Sequence, residues 1–365
     1  MKNLFMLMII VSLFIMYCGD DDDGNPTGPS AGSNVVDILE DIESNTTWFG
    51  DSVYVIRTYD FYVSAVLTIE PGTVVKFTDE GPYLVLGDGG VIRADATSGD
   101  PIVFTSIHDD EHGGDSNQNG DATQPRVRDW GHIDTNAKTG SIFDQCEFYY
   151  GGGTGTSATL SLSDGSQATV TRCTFAHNSG TRGSTWASVL DASTADAGTV
   201  IRNNVFYDND WPLTIGTAFS LDHSNRFHDP DNPSVTNTHN AVFVYSTDHI
   251  TRDISWRETE VAFVIDDADF WINRGASLTL ADQVVLKFYP GSVLLLQSGA
   301  SALVNHDGAG VAFTSLKDDS RKGDTNGDGN ASTANDNDWV GIYDDSGNTE
   351  YPYYFSWDNI YYDSY

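Results

Sequence analysis

The sequence predicts an all-β protein: a right-handed parallel β-helix, which is a solenoid, with long acidic loops. One observation behind this is an internal repeat. Residues 102–133 and 311–342 are identical at 13 of 32 aligned positions, with a constant offset of 209 and no gap. The other is a succession of short β-rich runs separated by Gly, Asn and Asp, with little helical periodicity. Such self-similarity is typical of architectures in which each unit stacks on the next.

The first residues indicate a targeting segment rather than part of the fold. Residues 1–17 hold Lys2 and then an apolar run too short to span a bilayer, which is typical of a signal peptide. Cys18 comes next and is followed by Gly and four aspartates, as at the lipidated first residue of a bacterial lipoprotein. An ordinary signal peptide with an incidental cysteine is the alternative. We interpret residues 18–34, rich in Asp, Gly, Pro and Ser, as a flexible acidic tether.

This N-terminal arrangement resembles that of outer-membrane and surface lipoproteins in some Gram-negative bacteria. The resemblance implies a protein held at the outer membrane by a lipid on Cys18 and displayed at the cell surface. The formal net charge of −35 repels nucleic acid and anionic lipid heads, and it favours metal cations. Aromatic residues make up 12% of the chain, too many for a disordered protein, so the acidic groups cover a real core.

Residues 35–365 are predicted to form one β-helix domain, because solenoids exceed ordinary domain sizes. The repeat sets the internal boundaries of this domain. Asp60–Val63 corresponds to Asp269–Ile272, and each stretch follows a tryptophan. The first unit therefore begins near Trp48, and a second, partial unit begins near Trp256.

Between the two units a shorter motif recurs, in which a Cys or Asn stands two residues before a Phe. In a parallel β-helix, equal positions on successive rungs stack about 4.8 Å apart, and loops absorb unequal spacings. We therefore expect a column of Phe side chains in the bore, and a column of Asn and Cys at a bend, with hydrogen bonds between the Asn amides. The two cysteines would be buried thiols or, alternatively, a disulfide along the column. The motifs are Cys146-x-Phe148, Cys173-x-Phe175, Asn204-x-Phe206 and Asn225-x-Phe227.

Three further motifs have the forms LTI-x-PG-x-VVKF, PIVFTS and DWG-x-I, and they occupy residues 67–77, 101–106 and 129–133. With these motifs the chain resembles bacterial pectate-lyase-like β-helix proteins, particularly surface proteins. The resemblance covers nearly all of residues 48–365 and implies the fold. It does not name an activity, because this fold hosts lyases, hydrolases, adhesins and passive spacers.

The repeated block predicts a calcium site in each copy. Residues 115–121 and 324–330 both fit D-x-[DN]-x-[DN]-G, the first half of a calcium-binding loop. In such loops the side-chain oxygens at positions 1, 3 and 5 converge on one cation, and a glycine at position 6 allows the sharp turn. The alternative is that loops rich in Asn, Asp and Gly are ordinary turns.

The glutamate that would close such a loop at position 12 is missing, since Arg126 and Asn335 stand there. We expect an aspartate three residues later to close each site, so that calcium holds the loop against the wall of the β-helix. The Asp pairs at 109–110 and 318–319 are second-choice ligands. The predicted ligands are Asp115, Asn117, Asn119, Asp121 and Asp129 in the first copy, and Asp324, Asn326, Asp328, Asn330 and Asp338 in the second.

Catalytic motifs are weak in this sequence. The lyases that the chain resembles neutralise a uronate with calcium and abstract a proton with Arg or Lys, for which Arg172 and Arg202 are candidates. Glycoside hydrolases use paired carboxylates, which a chain with 53 acidic residues contains by chance. Aromatic residues that follow the Phe positions either stack on sugars or pack against loops. They are Tyr149, Tyr150, Tyr207 and Trp211.

The C-terminal end is rich in aromatic residues, with nine between Tyr343 and Tyr365. Asn359-x-Tyr361 matches Cys146-x-Phe148, so the second unit runs into its first ladder rung there. The open end of a β-helix exposes strand edges that can pair with another chain. We expect this end either to associate with another copy or a partner, or to be covered by its own aromatic tail.

These observations predict a lipid-anchored, calcium-stabilised extracellular β-helix with a binding, adhesion or surface-assembly role. Its partners would be the outer membrane through the lipid, a glycan or protein ligand, and further copies of the chain, but not nucleic acid. The alternative is a polysaccharide-active enzyme, either a polyuronate lyase or a glycoside hydrolase.

Overall fold

A computed structural model describes residues 34–365, except for residues 79–80, 154–157, 181–187, 246–248, 267–268 and 348–352. The predicted signal peptide at 1–17, the lipidation site Cys18 and nearly all of the tether at 18–34 lie outside the described residues. No helix in the described part of the chain has the length and apolar character needed to cross a membrane.

Short strands account for almost all regular structure in this part of the chain, together with the 3-10 helices Gly120–Ala122 and Gly299–Ala302. The strands are β1 Asn34–Ile38, β2 Thr46–Trp48, β3 Ser52–Ile56, β4 Asp60–Val63, β5 Val66–Ile69, β6 Val74–Phe77, β7 Tyr83–Leu86, β8 Val91–Asp95, β9 Ile102–Ser106, β10 Ile133–Asp134, β11 Thr139–Asp144, β12 Cys146–Tyr149, β13 Leu160–Ser161, β14 Gln167–Thr171, β15 Thr174–Ala176, β16 Leu190–Ala192, β17 Val200–Arg202, β18 Val205–Tyr207, β19 Leu213–Gly216, β20 Ala241–Tyr245, β21 Ile254–Trp256, β22 Ala262–Ile265, β23 Asp269–Ile272, β24 Leu278–Leu280, β25 Val285–Phe288, β26 Val293–Leu296, β27 Leu303–Val304, β28 Ala312–Ser315, β29 Gly341–Asp344 and β30 Tyr353–Tyr354.

The strands form five sheets in which each strand pairs with the equivalent strand of the next coil. The first sheet has the order β1-β3-β6-β9-β12-β15-β18, the second β4-β7-β10-β13-β16-β19-β20-β22-β25-β28, and the third β2-β5-β8-β11-β14-β17. The fourth is β21-β24-β27 and the fifth is β23-β26-β29-β30. Apart from the antiparallel β29–β30 pair, the paired strands are parallel, which confirms the predicted parallel β-helix class.

The two repeat units use the sheets differently. Strands β3, β6 and β9 of the first unit correspond in sequence to β22, β25 and β28 of the second. The first three belong to the first sheet, whereas the second three extend the second sheet. The first sheet ends at Arg226, which bridges Val205 of β18 and beyond which no described strand continues. Equivalent sequence thus occupies a different wall of the solenoid after this point.

The predicted Phe column fills the bore. Rings of Phe148 and Phe175 stack with their centroids 4.6 Å apart, and those of Phe175 and Phe206 stack at 5.1 Å. Phe104 and Phe227 continue the column at 4.9 and 5.4 Å. All five rings are buried. Because the strands are parallel and in register, one residue type at one position produces an uninterrupted aromatic stack.

Bends between sheets are built from single residues in the left-handed conformation, each followed by a small or amide side chain. His177 and Asp208 have φ angles of 59° and 50°. The next residue of each points inward, and the Nδ2 of Asn178 donates to the Oδ1 of Asn209 at 3.2 Å. Asn209 in turn donates to Asn237 at 2.9 Å. These contacts form a buried amide column, in which each amide satisfies a partner in the next coil.

The predicted column of cysteine and asparagine lies at another bend, and the structure confirms its hydrogen bonds. The backbone N–H of Cys173 donates to the Oδ1 of Asn204 at 3.0 Å, and the Nδ2 of Asn204 donates to the Oδ1 of Asn225 at 3.1 Å. Cys146 and Cys173 are both buried and free, as expected for small core residues. The alternative of a disulfide along this column is therefore wrong.

At the C-terminal end, the predicted match of Asn359-x-Tyr361 with Cys146-x-Phe148 is wrong by one residue. Ile360 bridges Phe313, just as Phe148 pairs with Phe104 in the first unit. The indole N–H of Trp339 donates to the Tyr361 carbonyl at 2.9 Å, and that of Trp130 donates to the Tyr149 carbonyl at 2.7 Å. Tyr361 therefore corresponds to Tyr149 and not to Phe148.

The aromatic tail lies partly against the core of its own chain. Phe355 is buried, and Trp357 is half-buried and stacks on His306 with ring centroids 3.8 Å apart. Tyr353 and Tyr354 form β30 on the edge of the fifth sheet, and Tyr353 remains 49% exposed. The tail thus covers strand edges and still presents an aromatic side chain to solvent.

Replacing Phe175 by Ala removes the central ring of the stack and leaves a cavity between two neighbouring rings. We expect the free energy of unfolding to fall by about 3–5 kcal/mol. Urea unfolding followed by circular dichroism measures this loss. Phe49→Ala is the control, because Phe49 is 53% exposed and its loss should cost no more than about 0.5 kcal/mol. Equal losses for the two variants would contradict a stabilising Phe column.

Candidate functional site

The outer wall of the first sheet is covered by an acidic loop, residues 107–128. Outward-facing side chains of β3 and β6 form a small apolar patch with Ile107, and the members are Val53, Val55 and Val74. Gly113 lies directly on this patch, since a Cβ at that position would come within 2.7 Å of the Val53 Cγ2. Its φ angle of 73° and this close approach both favour glycine. The loop is therefore packed against the wall along its first half.

Two buried lysines anchor the loops. The Nζ of Lys76 donates to the carbonyls of Asp109 and Gly114 at 2.7 and 2.6 Å. At the equivalent place in the second copy, the Nζ of Lys287 donates to the Gly323 carbonyl at 2.7 Å and to Thr325 Oγ1 at 2.9 Å. Neither lysine is exposed. Each ammonium thus ties a strand of the wall to the backbone or side chains of the loop above it.

Burial lowers the pKa of both lysines, to about 8 for Lys287, although nearby aspartates oppose the shift. The acidic loops supply those carboxylates, so the charge of the loop partly compensates the buried ammonium. Sequence reasoning missed this contact. The available signal was a lysine inside an otherwise apolar strand in both copies, VVKF and VLKF.

The predicted calcium loops turn as expected. In the second copy, Asp324 accepts the N–H groups of Gly327 and Gly329 at 2.8 and 2.6 Å, and the Nδ2 of Asn326 donates to Asp328 at 3.0 Å. Positions 1, 3 and 5 therefore lie on the inside of one turn. The glycine at position 6, Gly329, has a φ angle of 70°, a conformation that glycine adopts without strain.

The first copy has the same turn with fewer charges. Asp115 accepts the N–H groups of Asn119 and Gly120 at 3.0 and 2.8 Å. Asn117 Oδ1 lies 3.3 Å from the N–H of Asn119, and the φ angle of Gly120 is 57°. The residue at position 7, Asp121, lines the cleft beneath the loop.

Asp129 and Asp338 stand where the loops rejoin the wall. The Oδ2 of Asp129 accepts the hydroxyl of Ser106 at 2.7 Å and the N–H of Arg126 at 2.8 Å. Asp338 likewise accepts the hydroxyl of Ser315 at 2.8 Å. Both aspartates therefore connect the end of a loop to the last residue of the strand where that loop begins.

The second-choice ligands Asp110 and Asp319 point toward the loop positions. In each, one carboxylate oxygen is buried and has no hydrogen-bond partner in the described structure. Burial, followed by the charge of Asp115, raises the pKa of Asp110, and burial with Asp324 does the same for Asp319. A cation would relieve both the repulsion and the missing contact. Within the described residues, however, no group of three or more His, Cys, Asp or Glu side chains is placed to hold a metal.

A cleft lies beneath each loop, and the two clefts are lined by equivalent residues. Their volumes are about 410 Å³ in the first copy and about 250 Å³ in the second. Tyr150 lines the first and Tyr362 the second, and the two have nearly equal φ angles of 64° and 61°. The shared positions are Asp109 with Asp318, Asp110 with Asp319, and Asp121 with Asn330.

A position beside the clefts also differs in chemistry between the two copies. His112 Nδ1 lies 2.7 Å from the Asp109 carboxylate, and the imidazole stacks on Tyr149. In the second copy Arg321 donates to Asp318 at 2.9 Å and lies over the ring of Tyr361. Although burial acts to lower the pKa of His112, its hydrogen bond with Asp109 raises it. An imidazole and a guanidinium thus hold the same structural place.

An aromatic strip runs along the outer face beside the first cleft, and we define it as Tyr149, Tyr150, His177 and Tyr207. Tyr150 and His177 stack with centroids 5.6 Å apart, and His177 meets Tyr207 edge-on at 6.0 Å. These side chains are only partly buried. Trp211, which the sequence placed with them, is 7% exposed and packs in a separate apolar cluster. The strip is therefore a tyrosine and histidine surface.

The basic residues considered for proton abstraction are already paired. Arg172 forms an ion pair with Asp144, and the Nε of Arg202 lies 3.0 Å from Asp222. Thr171 is the strand partner of Arg202, so the two arginines occupy neighbouring columns. Each guanidinium is therefore engaged by an aspartate, although its side chain stays more than half exposed.

No family model matches this chain, and no curated protein or solved structure matches it.

Replacing Gly327 by Ala tests how the second loop is held. Gly327 and Gly329 both have positive φ angles, but an added Cβ at Gly327 would lie 2.7 Å from His239 Nε2, whereas nothing lies within 4 Å at Gly329. We expect both variants to lose roughly 1 kcal/mol from backbone strain and Gly327→Ala to lose about 1–3 kcal/mol more. Thermal unfolding measures the difference. Equal melting temperatures would show that the loop does not rest on His239.

Proposed function

We propose that this protein is a calcium-stabilised, extracellular β-helix that binds glycans along its outer wall. The observation that carries the proposal is the aromatic strip, which lies on a rigid ladder directly beside the first acidic cleft. Partly exposed aromatic rings on a fixed scaffold offer flat apolar faces with polar edges, which suit sugar rings. Nothing in this arrangement requires bond cleavage, and we therefore assign a binding role.

Calcium would be held by the loop aspartates and asparagines. The side chains of Asp324, Asn326 and Asp328 line one turn, and Asp319 supplies a carboxylate oxygen that has no other partner. Oxygen donors of this type suit Ca²⁺. The first copy offers Asp110, Asp115, Asn117 and Asn119 in the same places, with less charge.

Calcium binding is tested by comparing Asp319→Asn with Asp338→Asn. We expect millimolar calcium to raise the melting temperature of the wild type. Asp319→Asn should weaken calcium affinity by about tenfold, because it removes a charged ligand. Asp338→Asn should lower the melting temperature equally with and without calcium, because it weakens hydrogen bonds and loses the ion pair with Lys317 but removes no calcium ligand. Calorimetric titration and melting curves separate these effects.

The two-variant design also decides between the predicted closing ligands. If Asp338→Asn and not Asp319→Asn abolishes calcium binding, the aspartate before Trp339 closes the loop, as the sequence suggested. If calcium leaves the melting temperature of the wild type unchanged, the loops are turns held by lysine alone.

Glycan binding is tested at the strip. Tyr207→Ala removes an aromatic face, and we expect the affinity for oligosaccharides that bind the wild type to fall about tenfold. Tyr62→Ala is the matched control, because Tyr62 is exposed on β4 in a different sheet. Glycan arrays identify ligands, and calorimetry measures their affinity. An equal loss in both variants, or none in Tyr207→Ala, would remove the strip from the binding site.

Display at the cell surface is the remaining part of the proposal. A lipid on Cys18 would hold the chain at the outer membrane of a Gram-negative cell, with residues 18–34 as a spacer. Incorporation of a labelled fatty acid, lost in Cys18→Ala, tests the anchor. Self-association through the C-terminal aromatic residues would add avidity to glycan contact, because Tyr353 is exposed there.

A further inference from the structure

The first sheet ends in a cleft of about 320 Å³. Arg226 continues the ladder, since its carbonyl accepts the N–H of Phe206 at 2.8 Å. The next contact is made by a side chain rather than a strand: the N–H of Phe227 donates to the Oε1 of Glu260 at 3.0 Å. The cleft therefore occupies the place where a further rung of this sheet would lie. Its lining includes His223, Arg226, Glu258, Thr259 and Glu260.

Both carboxyl groups of this cleft accept hydrogen bonds from their surroundings. Glu260 Oε1 also lies 2.6 Å from the Nδ1 of His228. Glu258 is 1% exposed, its Oε1 accepts two backbone N–H groups of its own loop at 2.7 Å, and its Oε2 has no partner in the described structure. Burial raises the pKa of Glu258 to about 7, so a large fraction is neutral at physiological pH.

Arg226 retains its charge. Its guanidinium is exposed and has no ion-pair or hydrogen-bond partner in the described part of the chain, whereas Arg172 and Arg202 of the preceding coils are bound to aspartates. In a protein with a net charge of −35, an arginine with no partner in the described structure is a local positive charge, and the buried Glu258 of the same cleft has a raised pKa. An anion can reach it without meeting an ionised acid in contact with it.

The repeat shows that the buried glutamate is not part of the structural pattern. Glu258 follows Trp256 by two residues, and the residue two after Trp48 in the first unit is Gly50. The two tryptophans stack alike, on Phe263 at 4.8 Å and on Tyr54 at 4.7 Å. The wall is thus built equally well without a carboxyl group at this position.

The cleft lies at the end of the aromatic strip. Paired residues place Glu147, Thr174, Val205 and Arg226 in one outward column, and Tyr149 and Tyr207 in the neighbouring one. Glu147 and Arg226 are three rungs apart, which is about 14 Å. A chain of sugars lying on the strip would therefore meet a negative charge at one end and a positive charge at the other.

We propose that this cleft is a subsite for an anionic group of the glycan, a carboxylate or a sulfate ester, and that Arg226 binds it. The proposal rests on glycan binding at the strip and adds the chemical class and the direction of the ligand. A guanidinium binds either anion through paired N–H groups, and a neutral Glu258 leaves that contact unopposed.

The test compares three ligands of equal length: a uronate oligosaccharide, its carboxyl-reduced neutral form and a sulfated form. We expect the wild type to favour an anionic form by about tenfold over the neutral one. Arg226→Gln should bind the anionic and the neutral forms alike, with the affinity that the wild type has for the neutral form. Arg93→Gln is the control, because it removes the same charge from an exposed site on the third sheet. The two anionic forms show which group is recognised.

The outcomes distinguish failure of the anionic subsite from failure of glycan binding itself. Equal affinity of the wild type for anionic and neutral forms, or a preference that survives in Arg226→Gln, overturns the anionic subsite and leaves glycan binding intact. If the wild type binds none of the three ligands, and arrays show no other glycan, both proposals fail.

The pH dependence is a second measurement on the same variants. As the pH rises from 6 to 8, Glu258 ionises and the preference for the anionic ligand should fall several-fold. Glu258→Gln should abolish this dependence while keeping the preference, and an unchanged profile in that variant would exclude Glu258 from the subsite. The other charged or titratable groups around Glu258 are Asp222, His223, Arg226, His228, Glu260 and Lys322.

Discussion

The whole molecule depends on the parallel, in-register stacking of each coil on the one before it. This pairing places equivalent residues of successive coils on top of each other, so a single position such as Phe175 becomes part of a continuous column. Left-handed residues such as His177 and Asp208 keep the columns aligned, because each turns the backbone sharply without adding a residue to the strand. The buried amides that follow them then satisfy one another across the coils.

Long loops leave this regular wall, and separate contacts are needed to hold them against it. Here the anchor is a lysine under each loop, and its buried ammonium is balanced by carboxylates above. The two copies keep this anchor and differ in the side chain that stacks on the adjacent tyrosine, His112 in one and Arg321 in the other. Both side chains are flat and bear nitrogen donors, so both can stack on the ring and contact the neighbouring aspartate.

The same regularity is what suits the outer face to an extended ligand. Tyr149 and Tyr207 are fixed by their own strands at a spacing that the ladder sets. Little conformational entropy of these side chains would therefore be lost on ligand binding. The cleft at Arg226 exists because one sheet stops while its neighbours continue. Such an interruption brings unlike residues together, as the acidic loops also do elsewhere on the wall.

The sequence by itself determined the fold class, the Phe column, the column of Asn and Cys, and the turns of the acidic loops. Each of these follows from a short local pattern or from repetition at equal positions. Only the tertiary structure decided that the two cysteines are free, that Lys76 and Lys287 hold the loops, that Trp211 is buried, that Tyr361 corresponds to Tyr149, and that Glu258 and Arg226 line one cleft. These contacts join residues that are separated by loops of unequal length. The stacking of the coils decides which of these residues come together, and no local sequence pattern records that stacking.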